Sequence, residues 1–294
     1  DFVNDGIKEI IIVPTLLFPG IHLKEDIPEG LEELKQQYGS EVRFHLTPAL
    51  GHDPRLAEII MERVRSVEGF LSQSEPEATV QCAVCNPEEI TRLSRSLIED
   101  ALGENFFQES FPGPAGEIVR RVVHATGSPE VAGLMRFHPQ AVASGLAALR
   151  RGVQIFTDVR MVKVGINRTA LKEMGGKVTC LIHHPQVRKE AEATGLTRAI
   201  VAIRACRESL PGNIVVVGNA PTALEEVINL VEQGLRPALI IGTPVGFVGA
   251  AESKAHLLAQ RVPFITMIGP QGGSSVAVAV VNALLAIARG DAGL

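Results

Sequence analysis

The chain has no tryptophan, one tyrosine and only four cysteines in 294 residues, and aromatic residues make up 4% of it. So few rings leave no stacking platform of the kind that holds single-stranded nucleic acid. The net charge of −5 removes the general basic footprint that duplex binders carry. Long hydrophobic runs are missing too. The most apolar segment, residues 276–288, is interrupted by Asn282 and is too short to span a bilayer. No basic, apolar, small-residue leader opens the chain, and residue 1 falls beside an expected strand, so a truncated start is expected. The cysteines show no regular framework, which suits a reducing cytoplasm. Nucleotide fingerprints are absent: Gly242, Gly246 and Gly249 miss the G-x-G-x-x-G spacing, and no G-x-x-x-x-G-K-[ST] occurs. Nor is there a G-x-S-x-G nucleophile elbow.

What is present is an ordinary globular composition, 46% hydrophobic and 21% charged, with length for about two domains. Its clearest feature is a strand, a glycine-rich loop and a helix, repeated three times from Asn213 to Gly290. The strands are expected at Ile214–Gly218, Ala238–Ile241 and Pro263–Ile268, and the helices end near Gln233, Gln260 and Arg289. Continuous apolar runs such as IVVV and ALII suit strands covered on both faces of a parallel sheet. Thr222 and Glu225 have the spacing of a capping box. In such sheets ligands bind outside the carboxyl ends of the strands, where all three loops fall. Helix N-termini and free amides gathered there favour an anion.

Earlier in the chain, residues 1–70 read as a partial α/β unit. Strands are expected at Glu9–Leu17 and Val42–Leu46, and helices at Asp26–Tyr38 and Pro54–Leu71. A polar run from Glu68 to Val80 opens the linker, 71–85, which ends in Cys82-Ala83-Val84-Cys85. With no second C-x-x-C and no thioredoxin-like surroundings, this pair is read as neither zinc site nor redox centre. The larger domain spans 86–294. It begins with helices at Glu88–Leu102, Glu117–His124 and Pro139–Arg151. Strands at Gln154–Thr157 and Lys177–Ile182 and a helix at Thr197–Glu208 follow.

Two resemblances extend this reading. Ile12-Val13-Pro14, Leu17-Phe18-Pro19-Gly20-Ile21-His22 and Leu50-Gly51-His52-Asp53-Pro54 resemble the C-terminal half of the sirohydrochlorin cobaltochelatases. In that family two halves each bring a histidine to a cleft. His22 stands at the matching position for metal, but the other half has no counterpart, so the site is incomplete.

From about Asn86 to Gly290 the chain resembles precorrin-8X methylmutase. The motifs are Val122-Val123-His124-Ala125-Thr126-Gly127-Ser128, Thr157-Asp158-Val159-Arg160, Gly195-Leu196-Thr197-Arg198, Val217-Gly218-Asn219-Ala220-Pro221-Thr222 and Pro244-Val245-Gly246-Phe247-Val248-Gly249 running on to Lys254. The resemblance implies a three-layer α/β sandwich around a parallel sheet, a cytoplasmic homodimer and an isomerase of cobalamin biosynthesis. Its partner would be a tetrapyrrole, with no nucleic acid and no membrane involved. A methyl group would move from C11 to C12 of the macrocycle. No cofactor is required, and cobalt would enter only inside the substrate.

The resemblance assigns His124 as the catalytic acid. Read alone, it is a helix-end histidine. An acid near neutral pH suits imidazole, with its unperturbed pKa of about 6.5. Arg198 and Arg121 would meet the substrate's carboxylates, for which a planar guanidinium is suited. Ser96 matches a family serine, and Lys254 would add charge. Asn219, Thr222 and Gly246 would supply loop donors. Asp158 either orients the site or caps a turn. Fusion to a chelatase-like piece suggests cobalt-precorrin-8 as substrate, with the metal-free form as the alternative. Two other functions stay open: a cobaltochelatase within a longer fusion, and a corrinoid carrier without turnover.

Overall fold

The computed structural model describes residues 7–12, 27–39, 42–47, 87–103 and 105–291. The chain divides into two compact units, Asp1–Gln81 and Cys82–Leu294. In the first, β1 (Glu9–Ile12) and β2 (Arg43–Leu46) pair in parallel, joined through α1 (Ile27–Tyr38). Pro28 in the first turn, with Glu29 beside it and Lys35 in the last turn, matches the helix polarity. Among the described residues of this unit, Leu31 and Val42 are buried and apolar. His22, Cys82, Cys85 and the expected helix Pro54–Leu71 lie outside the described residues.

The second unit opens with α2 (Pro87–Leu102), α3 (Phe106–Ser110), α4 (Pro114–Thr126) and α5 (Val131–Leu134). Next come β3 (Met135–Phe137), α6 (Ala141–Arg150), β4 (Gln154–Thr157), α7 (Arg160–Gly165), α8 (Arg168–Glu173) and β5 (Lys177–Thr179). After α9 (Pro185–Thr194) and α10 (Arg198–Ala205), three strand–helix pairs complete it. They are β6 (Ile214–Val217) with α11 (Pro221–Glu232), β7 (Leu239–Gly242) with α12 (Ala250–Leu258), and β8 (Phe264–Met267) with α13 (Ser274–Arg289).

The sheet order is β3-β8-β7-β6-β4-β5. All neighbours are parallel except β3, which pairs antiparallel with β8 through Met135–Phe137. The expected parallel sheet thus gains one antiparallel edge strand. Side chains alternate cleanly between faces. Ile155, Ile214, Val216, Leu239, Ile241 and Ile265 pack into one core with α4, α6 and α13. Phe156, Val215, Val217, Ile240 and Phe264 pack into another with α10, α11 and α12. Both faces are therefore covered, which makes the three layers and explains the unbroken apolar runs. Each fully buried Val, Ile or Leu contributes about 1.5–3 kcal/mol.

Local departures have local causes. The capping box at Thr222 and Glu225 is not made. Pro221 takes the first helical position, where its fixed φ is favourable, so Ala220 becomes the cap. Thr222 then bonds Thr197 Oγ1 at 3.1 Å, and Glu225 bonds His256 Nδ1 at 2.9 Å. The strand expected to reach Ile182 stops at Thr179. The helix expected from Thr197 to Glu208 starts at Arg198, because the Thr197 side chain caps it, and ends at Ala205 before a 3₁₀ turn.

Candidate active site

His124 lies in the last turn of α4. The helix is stopped by Gly127 at φ +63, a left-handed cap suited to glycine. Val119, Val122 and Val123 anchor the buried face, leaving His124 exposed on the other. Its Nδ1 is 2.6 Å from Ser94 Oγ on α2. A hydroxyl can donate to neutral imidazole or accept from imidazolium, so Ser94 serves both protonation states by rotating.

Four charges hold α2 against α4 at this point. Glu117 takes Arg95 at 2.8 Å and Arg120 at 2.9 Å, while Glu99 takes Arg120 at 3.1 Å and Arg95 at 3.4 Å. Arg120 also stacks on the Phe107 ring at 3.9 Å. Such part-exposed pairs add modest stability, but their shared geometry fixes the helix register. Thr91, Ser94 and Ile98 follow the helical spacing of the stripe that meets α4. Ser96, the serine singled out from the sequence, falls about 200° around the helix from Ser94 and is exposed. The structure puts Ser94 at His124 instead.

Two cavities open at His124. One, of about 430 Å³, is lined by Thr91, Arg121, His124, Ser275, Val278 and Asn282. The other, of about 470 Å³, has Ile90, Leu93, Ser94, Leu97, Val123 and His124 in its wall. Arg121, three residues before His124, shares its face of α4 and has no carboxylate partner among the described residues. Thr91, Ser94 and Ser275 were not singled out from the sequence. Asn282 left a signal there, as the polar break in the most apolar helix. Its side chain ties down the α7–α8 turn, donating to Gly165 O at 2.9 Å and accepting from Asn167 N–H at 2.8 Å.

The remaining sequence-derived residues lie at the carboxyl edge of the sheet. The chain leaves β4 for β5 on one side and returns to β6 on the other, so the crevice falls between β4 and β6. Asp158 fills that point. It is 0% exposed, and its carboxylate accepts the amides of Gly218 at 3.0 Å and of Asn219 and Ala220 at 2.8 Å each. Burial raises its pKa, and the amide hydrogen bonds oppose that rise. The first glycine-rich loop therefore spends these amides on a carboxylate from its own chain.

The other two loops are stitched together. Gly246 N–H donates to Pro270 O at 3.1 Å, and Gly273 N–H to Thr243 O at 2.7 Å. Gly246 has φ +145, which a side chain would strain, and open space at its Cβ position. Lys254 is 0% exposed beneath them, and its ammonium donates to Gln271 O. No carboxylate among the described residues pairs with it. Desolvation lowers its pKa to about 8. Arg198, Asn219 and Thr222 are exposed on the surface of this edge, with Arg198 joined to the α11 terminus through Thr197 and Thr222.

Helix α13 joins the two groups. Ser275 lines the cavity with His124 and Arg121. One residue earlier, Ser274 lies so close to Gly218 that a Cβ there would stand 2.9 Å from Ser274 Cα. In the second glycine-rich loop, Phe247 is 99% and Val248 88% exposed.

Comparison with known proteins places this geometry. A model of precorrin-8X methylmutase matches residues 89–287, and a CbiX model matches residues 1–67. The chain is 43% identical over 204 residues to a cobalt-precorrin-8 methylmutase of Priestia megaterium, covering 69% of this chain and 88% of that one. To the protein of the same name from Methanocaldococcus jannaschii it is 43% identical over 202 residues, covering 68% and 91%. The solved structure of a precorrin-8x methyl mutase from Thermus thermophilus superposes with a TM-score of 0.64 at 39% identity. That match spans 69% of this chain and 98% of the other. With His124 and Ser94 paired on a mostly parallel three-layer fold, and with a chelatase-like stretch preceding it, the chain belongs to the precorrin-8X methylmutase family, isomerases of cobalamin biosynthesis.

Proposed function

We propose that the chain acts on cobalt-precorrin-8, with His124 as the proton donor that assists migration of the methyl group from C11 to C12. The observation that carries this reading is the 2.6 Å contact between Ser94 Oγ and His124 Nδ1 at the mouth of two cavities. With Nδ1 held by the serine, Nε2 is the nitrogen free to lend a proton to the macrocycle. The reaction is an isomerisation, so the proton returns to Nε2 as product forms. Neither oxidant nor reductant is consumed.

The apolar wall of Ile90, Leu93 and Leu97 suits the ring faces, and Arg121 suits a peripheral carboxylate beside it. Arg198 would take another, with Asn219, Thr222 and the Gly246 loop around it. Lys254 would add positive potential from beneath the loops. Asp158 would hold the first loop in shape. The cobalt form is favoured by the chelatase-like stretch and by the names of the relatives. Exposed Phe247 and Val248 support a homodimer in which a second copy covers this edge. The free thiols Cys180 and Cys206 support a reducing, cytoplasmic setting. Residues 1–70 are assigned to the chelatase-like piece, 71–85 to a linker and 86–294 to the methylmutase.

The test is incubation of the full chain with precorrin-8 in cobalt-bound and metal-free forms, followed by absorption spectroscopy for the corrin chromophore. The cobalt form should convert faster. His124→Ala should slow conversion by roughly 10²-fold or more while still binding product. Near-normal turnover in that variant would remove His124 as the acid. Tight product binding without turnover in the unaltered chain would make the protein a carrier.

A further inference from the structure

We propose that the cavity at the open edge of β3 is a second ligand site, built for a small, flat, apolar monocarboxylate. It measures about 640 Å³, larger than either cavity at His124 and well within the size range of small-molecule sites. Its walls are Phe106, Phe111 and Phe137 with Pro112 and Pro114. The rings of Phe111 and Phe137 meet edge-on at 5.7 Å, and Phe106 tilts against Phe111 at 5.8 Å. A flat apolar body fits among such faces.

The cavity carries the side chains of Arg136 and His138, and no acidic residue lines it. Arg136 has no carboxylate partner among the described residues. Its NH1 donates to Gly133 O and Met135 O, both at 2.8 Å, which uses both NH1 hydrogens. Those bonds fix the plane of the guanidinium and leave its Nε–H and NH2 edge free. That edge is the side-on fork that takes a carboxylate with two parallel bonds. His138 adds to it. Its Nδ1 accepts the Gln140 amide at 3.2 Å, so neutral His138 carries its proton on Nε2, as a donor.

The backbone contributes as well. His138 N–H donates to Phe264 O, and Ile268 N–H to Leu134 O. Antiparallel pairing alternates, so Arg136 carries the bonded groups between them. The Phe137 N–H and C=O then point away from β8, along the open edge of the sheet. A guanidinium with no counter-charge, an imidazole donor and a free amide line one aromatic cavity.

This site is separate from the one at His124. Ala115 in its wall and His124 sit on the same helix, about 13 Å apart along the axis. It draws on no residue of the proposed methylmutase site.

The probe is 1-naphthoate, with neutral 1-naphthamide as its isostere, titrated into the full chain. Because the chain lacks tryptophan and has one tyrosine, naphthalene fluorescence is read with little protein background. Saturable binding at one site per chain is expected. Naphthamide should bind about ten-fold or more weaker, and naphthoate should lose a similar factor in Arg136→Gln. His124→Ala should leave naphthoate affinity unchanged. The amide comparison needs no variant, so a fold defect in Arg136→Gln would not obscure the result. Absence of saturable binding at millimolar probe would overturn the proposal, as would equal affinity for acid and amide. Loss of binding in His124→Ala would move the probe to the other site. Affinity that falls away as the chain is diluted would assign the cavity to an interface between copies instead.

Discussion

Replacing Lys254 by methionine should stabilise the protein near neutral pH, and by an amount that shrinks as pH rises. The side chain is 0% exposed, with one hydrogen bond to Gln271 O and no carboxylate partner among the described residues. Desolvation lowers its pKa from 10.5 to about 8. The unfolded chain therefore binds the proton more tightly than the folded one, and between those pH values it holds more protons. Stability rises with pH in that window, and the full penalty applies below pH 8. The difference in pKa corresponds to about 3 kcal/mol near pH 7, falling to about 1 kcal/mol at pH 10. Methionine fills similar volume without a charge but leaves the Gln271 carbonyl unpaired, an offset of about 1 kcal/mol that does not vary with pH.

Urea unfolding of both proteins at several values between pH 7 and pH 10 measures this directly. The buried Cys206 thiol, raised by burial to about 11, works in the opposite direction above pH 9. Its stabilisation is lost as pH rises, but it is common to both proteins and cancels in the difference. The gap between variant and parent should close by about 2 kcal/mol from pH 7 to pH 10. A gap that stays constant across that range would refute the reasoning, because Lys254 would then titrate alike folded and unfolded. A lysine kept at such cost beneath loops that bear no acid is expected to cost activity when removed, so the stabilised variant should bind the tetrapyrrole product more weakly.

Ser94→Ala should lower turnover by roughly ten-fold through loss of the bond to His124 Nδ1, whereas Ser96→Ala should leave it unchanged; steady-state kinetics of the two variants decides between the serines. Asp158→Ala strands one buried and two part-buried amides and should cost about 3 kcal/mol, read from thermal or urea unfolding. His256 bridges Glu225 and Glu232, and the Glu225 hydrogen bond leads in raising its pKa. The clasp should stabilise fully below pH 6.5 and fade as pH rises through the folded pKa. At a site more than a third exposed the effect should stay below about 1 kcal/mol, compared with His256→Gln by unfolding at pH 5.5 and pH 8.5.

The three final strand–helix pairs were legible because each strand is buried on both faces and each helix ends at a glycine or a polar turn. β3 was not. Its Met135-Arg136-Phe137 is too short for alternation, and it pairs with a strand about 130 residues later. Helices α7 and α8 are short, and the caps of α8 and α9, Asn167 and His184, lie in stretches that also read as turns. Within the site, His124 and Arg121 were legible as neighbours on one helical face. Ser94 was displaced by Ser96, since the stripe of α2 that meets α4 is set by Arg95, Glu99, Glu117 and Arg120 rather than by anything local. Asp158 could be read as orienter or cap but not assigned. Its partners lie 60 to 62 residues on, brought to it by pairing of β4 with β6. The capping box failed because Pro221 overrode a local pattern.

Under the proposed function, the placement of α13 would let an acid on one helical layer and an arginine at the sheet edge serve one large, flat substrate. Its buried stripe of Val276, Val280 and Leu284 seats it against the sheet, so its first turn cannot drift from the loops it follows. Gly218 permits the contact with Ser274, and Gly273 N–H ties the helix start to Thr243 O. From the same turn Ser275 lines the cavity at His124, and further along Asn282 fixes the turn that follows α7. The glycines at this edge are thus explained mainly by close approach of elements, at Gly218 to α13 and at Gly272 to Thr243 O, where a Cβ would stand 2.4 Å away. Gly246 and Gly269 have open space in front of them. With the amides of the first loop held by Asp158, the positive potential left for an anion comes from Arg198, Arg121, buried Lys254 and the N-termini of α12 and α13. The edge is better described as a rigid, charge-biased rim than as a nest of free amides, and under the proposed function rigidity of that kind would keep Nε2 of His124 at one position relative to the ring.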